Sequence, residues 1–145
     1  MTLSILRSIG SVIAGLVLAF AFLIAAEGYS ELAYPFPKGY DPKDMMEVCK
    51  AHVAKYPTGV LAVCTAIWSL APLCGSWLAT LLGTSRHWAH GYVVGAVLLA
   101  LAVINMLMLP YAIWYPIVIH LTFPLLTIVG ARLAASPKRA AESKE

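Results

Sequence analysis

Residues 88–134 read WAHGYVVGAVLLALAVINMLMLPYAIWYPIVIHLTFPLLTIVGARLA, and Arg132 is the only Lys, Arg, Asp or Glu among them. A membrane-crossing helix needs about 20 mostly apolar residues, and this stretch holds more than twice that. Pro110 divides it, because proline lacks an amide hydrogen and turns the residue before it away from helical geometry. The stretch therefore predicts two crossings, about 88–109 and 112–134. Working toward the N-terminus, two further apolar runs of sufficient length lie at about 58–82 and 9–26.

The whole chain fits that reading. Of its 145 residues 61% are hydrophobic and 12% charged, against roughly 25% charged in soluble domains. There is room for one domain, residues 1–145, and the expected class is an all-α integral membrane four-helix bundle. The first run is preceded by Arg7 and followed by Ala25 and Ala26, as a cleavable signal would be. Its apolar core exceeds the roughly 7–15 residues of such signals, so an uncleaved anchor is expected.

Four crossings put the N-terminus, the 83–87 turn and the 135–145 tail on one side and segment 27–57 on the other. The first side holds Arg7, Arg86, Arg132, Lys138, Arg139 and Lys144 against Glu142 and Glu145. The second holds Lys38, Lys43, Lys50 and Lys55 against Glu27, Glu31, Asp41, Asp44 and Glu47. Basic residues in short loops are retained in the cytoplasm, so the sequence predicts a bacterial inner-membrane protein with both termini cytoplasmic. The formal charge of +3 is then a topology signal, with no patch that would suit nucleic acid. Tyr29, Tyr34, Phe36, Tyr40, Tyr56, Tyr111, Trp114 and Tyr115 fall at the outer boundary and Trp88 and Tyr92 at the inner one, as interfacial anchors do.

Segment 27–57 predicts structure of its own. Tyr34-Pro35-Phe36-Pro37-Lys38-Gly39 is an extended, turn-forming approach. Asp41 can cap the helix that follows, with Pro42 at its first position and Asp44 near its positive end. Met45, Cys49, His52, Val53 and Tyr56 recur at helical spacing, which gives a short amphipathic helix on the extracytoplasmic surface, between helices 1 and 2 of the bundle. Such a helix can cap the bundle, rest on lipid or meet a partner.

Within lipid, helices approach closely through small residues four apart. Ser11, Gly15 and Ala19 form one such row, Gly75, Ala79 and Gly83 a second, Gly91 and Gly95 a third, and Gly130 and Ala134 a fourth. Each row serves either packing within the chain or dimerisation. Most lie in the cytoplasmic half, while Pro110, Pro116 and Pro124 interrupt hydrogen bonding in and before the fourth crossing. The expected bundle is tight inside and looser outside, with a pocket opening outward.

Ionisable groups in a bilayer are costly enough to mark function by default. Glu27, Asn105 and His120 fall in the outer half, with Glu31 beside them, and together form the candidate polar site. The plainer reading places Glu27 among headgroups and uses Asn105 and His120 for interhelical hydrogen bonds of roughly 0.6–2 kcal/mol. Cys49-x-x-His52 and His87-x-x-His90 each lack the second half of a four-ligand zinc site. His90 and His120 lie at opposite depths, unsuited to share a haem. Cys49, Cys64 and Cys74 include no C-x-x-C, and no nucleophile elbow, phosphate loop or H-E-x-x-H occurs. No catalytic residue, metal or cofactor is expected.

Several spacings resemble those of small four-span bacterial membrane proteins of unknown function. They are Glu27, Tyr34-Pro35, Pro37-x-Gly39-x-Asp41, Pro57, Ile104-Asn105-x-x-Met108-x-Pro110, Trp114 and Gly130-Ala131-Arg132-Leu133. The resemblance implies topology and no activity. The leading functional expectation is a non-enzymatic accessory or assembly subunit, acting through another membrane protein or as a homo-oligomer. Its discriminating features are the amphipathic outer helix and the small-residue rows, one of which must face outward to bind a partner. The alternatives are a small transporter or channel using the outer polar site, and a lipid-active enzyme for which no nucleophile can be named.

Overall fold

The computed structural model describes residues 2–39 and 41–135. Tyr40 and the tail from residue 136 on, with Lys138, Arg139, Glu142, Lys144 and Glu145, lie outside the described residues. Five α-helices follow one another: α1 (Thr2–Ala33), α2 (Met45–Val53), α3 (Thr58–Leu82), α4 (Ala89–Met108) and α5 (Trp114–Ala134). No strand occurs among the described residues. Helices α1, α3, α4 and α5 are long and apolar enough to cross a membrane.

Proline sets most of the helix ends. α1 continues well past its apolar core because nothing breaks it before Tyr34-Pro35. There Pro35 disfavours helical geometry, and the Glu31 carboxylate accepts a hydrogen bond from the Phe36 amide at 3.2 Å. Asp41 does act as a cap, its side chain accepting from the Lys43 amide at 3.0 Å, but the turn it caps is a 3-10 turn, Pro42–Asp44, that leads into α2. α2 stops at Val53, and Pro57 is the N-cap of α3. Tyr56 consequently lies beyond the amphipathic helix it was expected to end. Pro116 falls in the first turn of α5, where its missing amide costs nothing. Pro72 and Pro124 lie inside α3 and α5 and each leaves one carbonyl without its usual amide.

The four long helices run alternately up and down. α3 and α4 form the short diagonal of a rhombus, α1 and α5 its far corners; α3 packs against all three others. Small residues dominate one end. A Cβ on Gly15 would lie 2.6 Å from the Gly75 carbonyl oxygen, and one on Gly75 would lie 2.8 Å from the Gly15 oxygen, so α1 and α3 touch backbone to backbone. Gly91 sits against Ser76 and Thr80 of α3, Gly95 against Thr127 of α5, and Gly130 against the Leu73 carbonyl of α3. Every small-residue row is thus turned inward: Ser11, Gly15, Ala19, Gly75, Ala79, Gly83, Gly91, Gly95, Gly130 and Ala134 are all buried.

That end is latched by polar contacts. Arg7 Nε donates to the Leu82 carbonyl at 2.9 Å, Thr84 Oγ1 to the Ser4 carbonyl at 3.0 Å, and Ser8 Oγ lies 3.0 Å from both Thr84 Oγ1 and His90 Nε2. Arg7, Arg86 and Arg132 share it. Toward the other end the core grows large, through Leu61, Trp68, Leu98, Tyr115, Ile119 and Phe123. The bundle is a wedge, narrow where glycines meet and wide beneath α2. Around it Ile9, Ile13, Val17, Val93, Leu101, Ile117 and Leu121 form an exposed apolar belt. Water-soluble monomers rarely show so much contiguous apolar surface, whereas lipid requires it.

Candidate functional site

The wide end of the wedge encloses a cavity of about 470 Å³. α1 contributes Glu27, Ser30 and Glu31, α2 contributes Cys49, His52 and Val53, and α3 contributes Leu61, Cys64 and Trp68. Asn105 and Leu109 enter from the end of α4, with Tyr111 and Tyr115 on the remaining side. Spacing explains the α3 set, because Leu61, Cys64 and Trp68 stand three and four residues apart and share one helical face.

α2 roofs the cavity through rings. His52 is buried, stacked on Tyr34 with centroids 4.4 Å apart, and meets Phe36 edge-on at 5.0 Å and Tyr56 edge-on at 5.2 Å. The expected amphipathic face therefore turns its Cys49, His52 and Val53 to the bundle, while Met45 at its start stays exposed. Below the roof, Tyr56 Oη donates to Ser30 Oγ at 3.2 Å and Ser30 Oγ to the Glu27 carbonyl at 3.0 Å. The Cys64 thiol points at the Ala26 carbonyl, 3.8 Å away. These contacts hold α1 to α3 at the level of the cavity.

Of the four residues in the sequence-derived polar site, the cavity brings together Glu27, Glu31 and Asn105. His120 is not among its lining residues; its Nδ1 lies 2.6 Å from the Pro116 carbonyl of its own helix, one turn back. The three that meet differ in state. Glu31 is engaged by the Phe36 amide. Glu27 is exposed toward the opening, and no hydrogen bond or ion pair joins its carboxylate to any described residue. The Asn105 Oδ1 atom is buried and has no partner among them either. A buried acceptor left unpaired costs about 1–3 kcal/mol, so the site holds unsatisfied capacity for donors.

Trp68, Tyr111 and Tyr115 line the cavity as well, as do Ser30, Leu61 and Leu109, and the sequence singled out none of them as a site. Tyr111 and Tyr115 stack with centroids 4.8 Å apart at 28°, and Trp68 lies 6.3 Å from Tyr115. Burial pushes the Tyr56 and Tyr111 phenols above the usual tyrosine range, and the Glu27 carboxylate adds to the effect in both. Their hydroxyls are therefore neutral donors at physiological pH. A group whose folded-state pKa is raised stabilises fully below its unfolded value, here about 10, and loses that contribution as pH climbs through the raised one. In an alkaline titration followed by tyrosinate absorbance, Tyr111→Phe should leave the amplitude near pH 10 unchanged and remove amplitude only beyond it. A loss in the first phase would mean that Tyr111 is open to water.

Cys49 and His52 share the cavity, yet no hydrogen bond joins their side chains, and all three cysteines are free thiols. No group of three His, Cys, Asp or Glu side chains converges as metal ligands do among the described residues. Comparison with protein-family models, curated proteins and solved structures finds no match to the chain. The cavity and its unpaired acceptors carry the functional argument.

Proposed function

We propose that the chain is a multi-pass inner-membrane protein with cytoplasmic termini that binds a small ligand, unaltered, in the cavity at its outer end, as the site of a small transporter or channel. The observation that carries this is the pairing of a free carboxylate, Glu27, with an orphaned buried acceptor, Asn105 Oδ1, in one 470 Å³ space. Binding cavities typically occupy about 300–1,000 Å³, mostly apolar with a few convergent polar groups. The orientation is supported by Arg7, Arg86 and Arg132 sharing the opposite end. The accessory-subunit reading drew on the amphipathic outer helix and on an outward-facing row of small residues; the rows are buried, while the helix keeps Met45 and Met46 exposed.

Cys64 gives the test, because it lines the cavity from within α3. A variant keeping Cys64, with Cys49→Ala and Cys74→Ala, should react with a small membrane-impermeant thiol reagent added outside intact spheroplasts. Leu61→Trp, which fills the space beside it, should slow that reaction at least about tenfold. Reaction only after permeabilisation, or none at all, would overturn an outward-opening cavity.

A further inference from the structure

Resting on that reading, we infer that the ligand is a protonated amine carrying an apolar body. Charge comes first. Two carboxylates, Glu27 and Glu31, line the cavity, and no lysine or arginine does among the described residues. An anion would meet two carboxylates at partly exposed positions and no fixed positive charge among the described lining residues, which disfavours it.

Hydrogen-bond polarity comes second. The one fully buried side-chain atom of the cavity lining left without a partner among the described residues is an acceptor, Asn105 Oδ1, and the exposed Glu27 carboxylate has no partner among them either. An ammonium offers up to three N–H donors and no acceptor, which suits Glu27 and Asn105 Oδ1 together. A quaternary ammonium carries the charge without the donors and would leave Asn105 Oδ1 as it is. A neutral alcohol has one donor and no charge.

The walls come third. Tyr56, Trp68, Tyr111 and Tyr115 surround the space with rings. Aromatic faces attract cations, more strongly once the cation has shed water, and offer apolar contact to the rest of the molecule. A hard metal cation wants several converging oxygens instead, and the carboxylates, imidazole and thiols here do not gather in threes.

The test uses the purified full chain in lipid nanodiscs at neutral pH, with four probes of one shape: 2-phenylethylamine, its N,N,N-trimethyl analogue, 2-phenylethanol and 3-phenylpropionate. Affinity is read by calorimetry and location by protection of Cys64 from the thiol reagent. The amine should bind about tenfold or more tighter than the trimethyl analogue and the alcohol, with the carboxylate weakest. Glu27→Gln, at an exposed residue without partners, should keep the fold and weaken the amine at least about tenfold. Asn105→Leu should level the amine with its trimethyl analogue. If alcohol or carboxylate protects Cys64 as well as the amine does, the amine assignment falls and the binding cavity stands. Equal affinity of the two cations overturns the requirement for N–H donors. If no probe binds although Cys64 reacts from outside, the amine assignment falls alone; if Cys64 is unreactive as well, both readings fall.

Discussion

Gly130→Ala is expected to lower the stability of the folded bundle by about 3 kcal/mol or more, the upper range for overpacking. The added methyl would fall against the Leu73 carbonyl of α3, and the Trp77 amide stands 3.2 Å from the same point. Both neighbours are backbone, so nothing short of parting α3 from α5 makes room. The glycines predict a graded series, because what each Cβ would meet differs in how far it can yield. Gly15→Ala and Gly75→Ala press on a reciprocal backbone contact. Gly83→Ala meets the His90 ring, which can swing aside at the expense of its contact with Ser8. Gly10→Ala meets nothing within 4 Å and serves as control. Denaturant or thermal midpoints in detergent measure the order; a Gly130→Ala protein as stable as Gly10→Ala would refute the close crossing of α3 and α5.

His52→Ala is expected to release the roof while the bundle beneath stays folded. α2 is too short to hold itself as an isolated helix, since such helices are marginal below about 12–15 residues. Its tie to the bundle is the ring cluster around His52, with Tyr34, Phe36 and Tyr56. Aromatic pairs contribute about 0.5–1.5 kcal/mol each beyond their buried area. Losing the imidazole at the centre should therefore speed amide exchange across 45–53 by roughly 30- to 100-fold. Exchange in α3 and α5 should hardly change. A uniform loss of protection through all helices would show instead that the cluster supports the whole fold, and unchanged exchange in α2 would show that other contacts hold it.

Much of this architecture was legible in the residues. The four apolar runs became α1, α3, α4 and α5 because runs of that length admit no other satisfied backbone in lipid. The division into a tight end and a loose one followed from where glycine and alanine recur. Helix ends were less legible: apolarity marks how much of α1 suits lipid, but hydrogen bonding carries the helix through Glu27 and Glu31 until Pro35 stops it. Glu27, Glu31 and Asn105 stood out as polar groups in costly places, and they do share the cavity. His120 stood out for the same reason, yet its ring turns to its own backbone, a choice made by rotamer and rotational phase, which spacing does not encode. Tyr111 and Tyr115 were hidden because a ring anchoring a helix among headgroups and a ring walling a cavity have the same sequence, and Trp68, well inside α3, because a core ring and a cavity wall read alike. Only their neighbours across the bundle distinguish the two.

The depth of the cavity has a consequence for occupancy. α4, with 20 residues, is about 30 Å long, the thickness of a bilayer's hydrocarbon layer, and Asn105 stands three residues, about 5 Å, before its end. α2 roofs the same space from above it. On the insertion proposed above, the site straddles the headgroup layer, where amphiphilic amines accumulate from water. For the amine proposed as ligand, the bilayer would be the reservoir from which the protein draws. Occupancy follows the concentration within the membrane, so a site of weak intrinsic affinity is filled at aqueous levels far below its dissociation constant. Apparent affinity referred to total ligand then varies with the amount and charge of lipid, while affinity referred to the membrane phase stays constant.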